Sequence, residues 1–145
     1  MVLGMLFFLG FGITSFGNIG LSKPFNKFLH VTCYVCAIIS FSVGLKAVWK
    51  SHDDLDGDKY IADLYSLHSW LGLGAVVMFG QNFLLGIYHF IIPAASMEQK
   101  KSYTHAHVFL GVCTLVMSVI AIETGKSYRL YQALPLLFVS SRLLH

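Results

Sequence analysis

Charge is the scarcest feature of this sequence. Only 12% of its 145 residues are Asp, Glu, Lys or Arg, whereas 56% are hydrophobic. Soluble domains carry about 25% charged residues, so this composition, with a mean hydropathy of +0.68, excludes an ordinary soluble domain. The net charge of +3 comes from basic residues scattered along the chain, which gives no basic patch for binding nucleic acid.

Cysteine and proline are also rare, with three of each. Cys33, Cys36 and Cys113 lie inside apolar runs, where a free thiol behaves as a small hydrophobic side chain. Cys33 and Cys36 have no second Cys/His pair at zinc-binding spacing, which disfavours a zinc or thiol redox centre. Met1–Ile19 lacks a basic start and a small-residue cleavage site, which favours a membrane helix over a signal peptide.

Long apolar runs dominate the rest of the chain, and four of them have about the length needed to cross a bilayer as helices. They cover about residues 1–20, 27–49, 67–93 and 104–123. The runs are continuous rather than alternating, which favours helices over barrel strands. A weaker fifth stretch, Leu130–Leu144, contains Pro135 and Arg142 and is too short to cross alone. We therefore predict an all-α transmembrane helical bundle of about four to five helices.

Three histidines lie near the starts of successive runs: His30, His68 and His107. Successive spanning helices are antiparallel, so His30 and His107 should lie at one depth near one membrane face, and His68 near the other. An imidazole without a partner in hydrocarbon costs on the order of 2–7 kcal/mol, which metal ligation would offset. Two imidazoles at one depth predict axial ligands of a haem with no open position, as suits electron transfer.

Each of these histidines has a simpler interpretation, an interfacial side chain with its polar tip in water. His89 should lie at the same face as His30 and His107 and is an alternative ligand, although aromatic neighbours on both sides favour an interfacial role. His105 precedes His107 by two residues and would point elsewhere on a helix. We place it in the loop or the first helical turn, in solvent.

Two short connectors, Leu21–Asn26 and Pro93–Ser102, precede the predicted helices that carry His30 and His107. Four basic residues lie in or beside them: Lys23, Lys27, Lys100 and Lys101. The connector Lys50–Ser66 lies on the other side and holds most of the acidic residues. Because short cytoplasmic loops are enriched in Lys and Arg, we place His30 and His107 on the cytoplasmic side.

The motifs and their order resemble those of the cytochrome b-561 family. The segment Asp63–Gly72, DLYSLHSWLG, is similar almost letter for letter to that family's fourth-helix signature. Other matching segments belong to the third helix, the next loop and the fifth helix of the family. They are Lys27–His30, Gly44–Asp53, Pro93–Ser96 and His107–Gly111. The resemblance covers about residues 1–123.

This resemblance implies two haem b groups, six helices and electron transfer from ascorbate across a membrane. It assigns His30 and His107 to the cytoplasmic-side haem and His68 to the haem on the other side. It also divides the chain into a partial cytochrome b-561 domain, 1–125, and a divergent tail, 126–145.

The sequence departs from the family pattern in two places. The partner of His68 belongs to a His-Pro-x-x-Met pattern, of which Met1 matches the Met, and the family's first helix is not seen. Many relatives have a second histidine one turn after the position of His30, where this chain has Tyr34. The expectation is a truncated chain with one complete haem site and one half-site.

Substrate residues also follow from the resemblance. Ascorbate is an anion at neutral pH, and the family binds it through basic residues of the cytoplasmic loops, which correspond here to Lys23, Lys27, Lys100 and Lys101. His52 and Tyr65 resemble residues near the second substrate site, where monodehydroascorbate or a ferric chelate accepts the electron. The expected activity is that of an ascorbate-dependent transmembrane oxidoreductase.

Two other interpretations stay open at this point. One is a truncated, non-catalytic membrane fragment with at most one haem, and the other is a bis-histidine cytochrome linked to quinone. Members of the family are often dimeric, so a homodimer is a further expectation. The expected location is an endomembrane, a vesicle, the lysosome or vacuole, or the plasma membrane.

Overall fold

Four helices occur among the residues that the structure describes. The computed structural model describes residues 2–18, 20, 22–53, 64–92 and 95–143, and no strand occurs among them. The helices are α1 (Val2–Asn18), α2 (Lys23–Asp53), α3 (Leu67–Phe90) and α4 (Met97–Leu143). Helix α1 packs along α2, α3 packs along α4, and α1 also contacts α4. The predicted all-α bundle is confirmed.

Burial in the bundle differs from that in a water-soluble protein, although an apolar cluster that includes Leu9, Ala37 and Phe79 is buried. Large apolar side chains point outward, with Phe28, Leu84 and Phe109 about two thirds exposed (69%, 67% and 68%). Small polar residues are buried instead: Ser15, Asn82, Thr114 and Ser118. Their side chains bond to backbone carbonyls of the helices, as polar groups surrounded by lipid must.

Three of the described helices are long and apolar enough to cross a membrane. Their apolar spans are Lys23–Ser51, Leu67–Phe90 and Met97–Tyr131. The apolar part of α1, Gly4–Phe16, is shorter. The predicted multi-pass membrane architecture therefore agrees with the structure.

Helix α4 begins at Met97, earlier than the predicted start near residue 104. Ser96 and Gln99 form a capping box, in which the Gln99 N–H donates to Ser96 Oγ (3.2 Å) and the Ser96 N–H donates to Gln99 Oε1 (2.8 Å). These two bonds satisfy donors that a helix start otherwise leaves unpaired. Lys100 and Lys101 therefore lie in α4, and their predicted placement in a loop was wrong.

Helix α2 also begins earlier than predicted, at Lys23. Pro24 lies in its first turn, where the N–H that proline lacks would have no partner within the helix. Lys23 thus belongs to a helix rather than to a connector. At its other end, α2 continues to Asp53 and includes the first residues of the predicted connector Lys50–Ser66.

Helix α4 continues to Leu143, past Pro135, so the prediction of a separate fifth stretch was wrong. Helical contacts continue past residue 123, the predicted end of the fourth run, because Lys126 Nζ pairs with Glu123 Oε1 at 2.9 Å and Ser127 Oγ donates to the Glu123 carbonyl. A helix of 47 residues measures about 70 Å. It therefore extends well beyond a hydrocarbon core of about 30 Å.

Candidate functional site

His30 on α2 and His107 on α4 face each other across the bundle. Their ring centroids lie 6.2 Å apart, with the ring planes inclined at 58°. Two imidazoles on opposite sides of one metal ion need about 6 Å between centroids, since a metal–nitrogen bond is about 2 Å long and each nitrogen lies roughly 1 Å from its ring centre. The structure therefore brings the two rings to a spacing that suits axial ligation of one ion.

A backbone carbonyl of α1 fixes the tautomer of His30. His30 Nδ1 lies 2.7 Å from the Gly12 carbonyl oxygen. A carbonyl only accepts hydrogen bonds, so Nδ1 carries the proton and Nε2 keeps its lone pair. Ligating histidines in metalloproteins are oriented by such a bond from the other ring nitrogen.

His107 fits into a gap left by a glycine of α3. A Cβ atom on Gly86 would lie 2.9 Å from His107 Cε1, closer than side-chain carbons approach one another. Asn82 Nδ2 donates to the His107 carbonyl (3.2 Å), which ties α3 to α4 at this level. His107 Nδ1 is buried and has no hydrogen-bond partner among the described residues, so this ring lacks the carbonyl bond that orients His30.

The space between the two rings is narrow and apolar. A cavity of about 40 Å³ separates them, and its other walls come mainly from apolar side chains of α2 and α3. Its lining residues include Val31, Phe83, Ile87 and Ile91. We call this part of the molecule, with His30 and His107, the paired end.

His68 lies at the start of α3, which Ser66 caps by accepting a bond from the Ser69 N–H (3.2 Å). His68 Nδ1 lies 2.5 Å from the Ala121 carbonyl oxygen, so its Nε2 also keeps a lone pair. A Cβ atom on Gly125 would lie 2.8 Å from His68 Nδ1. His68 therefore has the same arrangement as His30, in which a backbone carbonyl accepts a hydrogen bond from the protonated Nδ1.

An open groove of about 670 Å³ adjoins His68 between the start of α3 and residues 119–131 of α4. Among the described side chains that line it, His68 supplies the one imidazole. We call this part the open end. His68 and Gly86, which contacts His107, are 18 residues apart on α3, or about 27 Å along the axis, so the two ends lie far apart.

His89 and His105, the two other histidines considered near this membrane face, are not part of the His30–His107 pair. His89 stacks on Tyr103, with centroids 4.2 Å apart, and its ring contacts among the described residues include neither His30 nor His107. His105 is exposed, as predicted, but it lies in the third turn of α4 because the helix begins at Met97. Its predicted place in a loop or first turn was wrong.

The four lysines predicted to bind ascorbate lie at the paired end, in the first two turns of α2 and α4. Lys23, Lys27 and Lys101 are exposed, and Lys100 is half-buried. Tyr65, before α3, is 76% exposed. His52 lies in the last turn of α2, but its side chain is outside the described residues.

Three glycines have roles at these histidines that their positions in the sequence do not indicate. The Gly12 carbonyl accepts a hydrogen bond from His30, and Gly86 and Gly125 leave room for His107 and His68. Glycine is frequent in all membrane helices, so its presence in the apolar runs gave no signal for these roles. Which carbonyl or Cα meets which ring depends on how the helices are rotated against one another.

Comparison with known proteins connects this geometry to a family. The family described as eukaryotic cytochrome b561 matches residues 1–132 of the chain. The "Transmembrane ascorbate ferrireductase 2" of Arabidopsis thaliana is 31% identical over 125 residues, which are 86% of this chain and 53% of that protein.

Two animal proteins show a similar degree of likeness. The "Lysosomal membrane ascorbate-dependent ferrireductase CYB561A3" of Mus musculus is 37% identical over 109 residues, 75% of this chain and 42% of the relative. The "Transmembrane ascorbate-dependent reductase CYB561" of Sus scrofa is 36% identical over 120 residues, 82% and 46% respectively. This chain spans about half the length of the curated relatives it matches.

Proposed function

We propose that this chain, which belongs to the eukaryotic cytochrome b561 family, takes part in ascorbate-dependent electron transfer across a membrane, with haem b held between His30 and His107. The observation that carries the proposal is the 6.2 Å separation of these two rings. Three apolar spans and relatives named as ascorbate-dependent reductases support the same activity.

The residues of the paired end fit a haem. No cluster of three or more His, Cys, Asp or Glu side chains that could hold a metal occurs among the described residues, and an iron porphyrin needs only two ligands from the protein. When bound, haem b supplies a one-electron iron couple. His30 presents a neutral imidazole with its Nε2 lone pair free, and Gly86 leaves room for His107.

The apolar walls of the paired end suit the edge of a macrocycle, but the cavity of about 40 Å³ is smaller than a porphyrin. Binding of the group would therefore require the side chains that line the cavity to move apart. Ile91, which is 52% exposed, is the most exposed of the apolar lining residues named above.

Positive charge at the paired end favours an anionic donor. The starts of α2 and α4 both lie there, and each presents a positive dipole end together with lysines. The ascorbate monoanion would be attracted to Lys23, Lys27, Lys100 and Lys101. One electron and one proton leave it to give monodehydroascorbate, and the proton passes to water.

The electron acceptor would be reduced at the open end. A ferric chelate gains one electron to become ferrous, or monodehydroascorbate gains one electron and one proton to become ascorbate. His52, in the last turn of α2, and Tyr65, two residues before α3, are the proposed acceptor-site residues. His68 is the proposed ligand for a second haem, whose other ligand the described residues do not provide.

A second candidate function has one observation in its favour. Among the described side chains, the open end offers one imidazole, about 27 Å from the level of the paired end, which is too far for one direct electron hop. With haem held at the paired end alone, ascorbate would give one electron to the haem iron, and no electron would pass across the membrane. The chain would then be a haem-binding, non-catalytic membrane segment.

Reconstituted vesicles test the proposal and separate the two functions. The haem-loaded chain is inserted into vesicles that contain a ferric chelate, ascorbate is added outside, and haem reduction and ferrous iron inside are both recorded. Transmembrane transfer predicts both signals, and the second function predicts haem reduction alone. Absence of any haem reduction by ascorbate would overturn the proposal.

Paired lysine variants test where ascorbate binds. Lys101→Gln removes a charge at the paired end, whereas Lys46→Gln removes an equally exposed charge far along α2. Because charged clefts raise association rates about 10-fold or more, we expect measurably slower reduction by ascorbate for Lys101→Gln at low salt. Equal rates for both variants would place ascorbate binding elsewhere.

A further inference from the structure

Two residues from two helices, Gly12 of α1 and Tyr34 of α2, contact the His30 ring. The Gly12 carbonyl accepts the proton of His30 Nδ1 at 2.7 Å. The Tyr34 ring, one helical turn after His30, lies with its centroid 4.5 Å from that of His30. We call Gly12 and Tyr34 together the His30 bracket.

The two members of the bracket depend on each other. A Cβ atom on Gly12 would lie 2.7 Å from Tyr34 Cε2 and 3.2 Å from Tyr34 Cδ2. Tyr34 packs against the backbone of α1 at the residue whose carbonyl binds His30. The absence of a side chain at Gly12 is therefore what lets α1 come close enough for the 2.7 Å bond.

Tyr34 has little freedom to move away from Gly12. Its ring is buried and stacks nearly parallel on Phe79 (5.5 Å, 7°) and on Phe83 (6.4 Å, 6°). Phe79 and Phe83 also stack on each other. These three rings fix the surface against which both His30 and α1 pack.

We propose that Gly12 and Tyr34 are positioning residues that hold His30 as the Nδ1–H tautomer, with Nε2 available to a metal, before any haem is bound. The proposal rests on the proposed function only for the identity of that metal. Preorganised ligands avoid the cost of ordering the side chain at the moment of binding. Partners that orient a ligating histidine contribute about 10–100-fold in metal affinity.

The bracket also gives Tyr34 a role of its own. Tyr34 stands at the position where many relatives have a second histidine. An imidazole there would be a smaller, polar ring between Phe79 and Phe83, and it would bring a competing nitrogen beside His30. A phenol ring fills the space next to Gly12 and leaves His30 as the one imidazole that α2 offers at this level.

Nitrogen-15 NMR of the histidines in the full chain without added haem tests the proposal directly. The ring signals of His30 are assigned by their loss in His30→Gln. We expect His30 to be protonated at Nδ1 and unprotonated at Nε2. A His30 ring protonated at Nε2, or a fast mixture of tautomers, would overturn the proposal without any bracket variant.

Gly12→Ala provides the first variant test, with Gly10→Ala on the same helix as its control. A Cβ on Gly10 meets nothing within 4 Å, so Gly10→Ala should leave the His30 tautomer and the haem affinity unchanged. Gly12→Ala should push α1 off Tyr34, give a mixture of His30 tautomers and lower haem affinity about 10–100-fold. Identical behaviour of the two variants contradicts the bracket.

Tyr34 variants decide the matter if Gly12→Ala does not fold. Tyr34→Phe keeps the ring and should keep the single tautomer, together with the spectrum and midpoint potential of the bound haem. Tyr34→Leu removes the flat surface and should produce mixed tautomers. A single Nδ1–H tautomer in Tyr34→Leu would contradict the proposal.

The outcomes separate this inference from the proposed function. A chain with His30 held as the Nδ1–H tautomer that binds no haem supports the bracket and contradicts the function. A chain that binds haem between two histidines but shows mixed His30 tautomers without haem supports the function and contradicts the bracket.

Discussion

The paired end and the open end share two structural features, a carbonyl hydrogen bond to a histidine and a glycine beside an imidazole. They differ in whether two described imidazoles come together. At both, a histidine near a helix start bonds a backbone carbonyl through Nδ1: His30 to Gly12 and His68 to Ala121. At both, a glycine of the antiparallel neighbour in the α3–α4 pair leaves room for an imidazole, Gly86 for His107 and Gly125 for His68. Among the described residues, only the paired end places a second imidazole 6.2 Å away.

This difference separates the features that orient one histidine from those that bring two histidines together. The hydrogen bond to a backbone carbonyl orients one imidazole, and the space beside a glycine accommodates one imidazole. Both features occur at both ends. A site with two axial ligands further requires that helices from different parts of the chain bring two such rings to one level. Helices α2 and α4 achieve this at the paired end.

The largest expected effect comes from removing a ligand at the paired end. His107→Ala leaves the iron with one protein ligand there, so we expect haem affinity to fall more than about 100-fold, beyond the loss caused by removing an orienting partner. The low-spin absorbance spectrum should disappear with it. His68→Ala is the matched control and should keep that spectrum; its loss in His68→Ala would mean that the ends are not independent.

Filling the gap beside His107 should have a smaller effect. Gly86→Ala places a methyl group 2.9 Å from His107 Cε1 and should lower haem affinity roughly 10-fold, as overpacking costs about 1–3 kcal/mol. Gly80→Ala, where nothing lies within 4 Å of the added Cβ, is the control on the same helix. Equal affinities measured by haem titration would show that His107 moves freely.

The matching change at the open end should leave the paired end intact. Gly125→Ala brings a Cβ 2.8 Å from His68 Nδ1 and should disturb the His68 ring signals in nitrogen-15 NMR. Gly111→Ala makes only an ordinary contact of 3.6 Å with Asn82 and serves as the control. A changed haem spectrum in Gly125→Ala alone would indicate coupling between the ends.

The smallest effect is expected from the start of α4. Ser96→Ala removes one side of the capping box and should reduce the free energy of unfolding by about 1 kcal/mol, as measured by thermal or denaturant unfolding. Ser102→Ala, an exposed position in the same helix, is the control. The haem spectrum should not change, because His107 lies three turns further along α4.

Much of the bundle could be predicted because a backbone surrounded by lipid can form few structures other than helices. Continuous apolar runs gave helices at α1, α2 and α3, with ends wrong by a few residues. The start of α4 was missed because Ser96 and Gln99 look like loop residues until their spacing is read as a capping box. The continuation of α4 past Gly125 and Pro135 was missed because both residues usually mark the end of a helix.

The candidate site was predictable only in part. That His30 and His107 share a level follows from antiparallel helices alone, and the structure places them in contact range. The roles of Gly12 and Tyr34 depend on how α1 is rotated and how closely it approaches α2. Neither quantity leaves a periodic trace in the sequence, so these contacts appear only in the folded chain.

Titration of the full chain with haem, followed by electron paramagnetic resonance, tests the central claim most directly. The geometry predicts one equivalent of low-spin ferric haem with two imidazole ligands per chain, lost in both His30→Ala and His107→Ala. A high-spin, five-coordinate signal, or a bis-imidazole signal that survives both substitutions, would show that these two rings do not hold the iron.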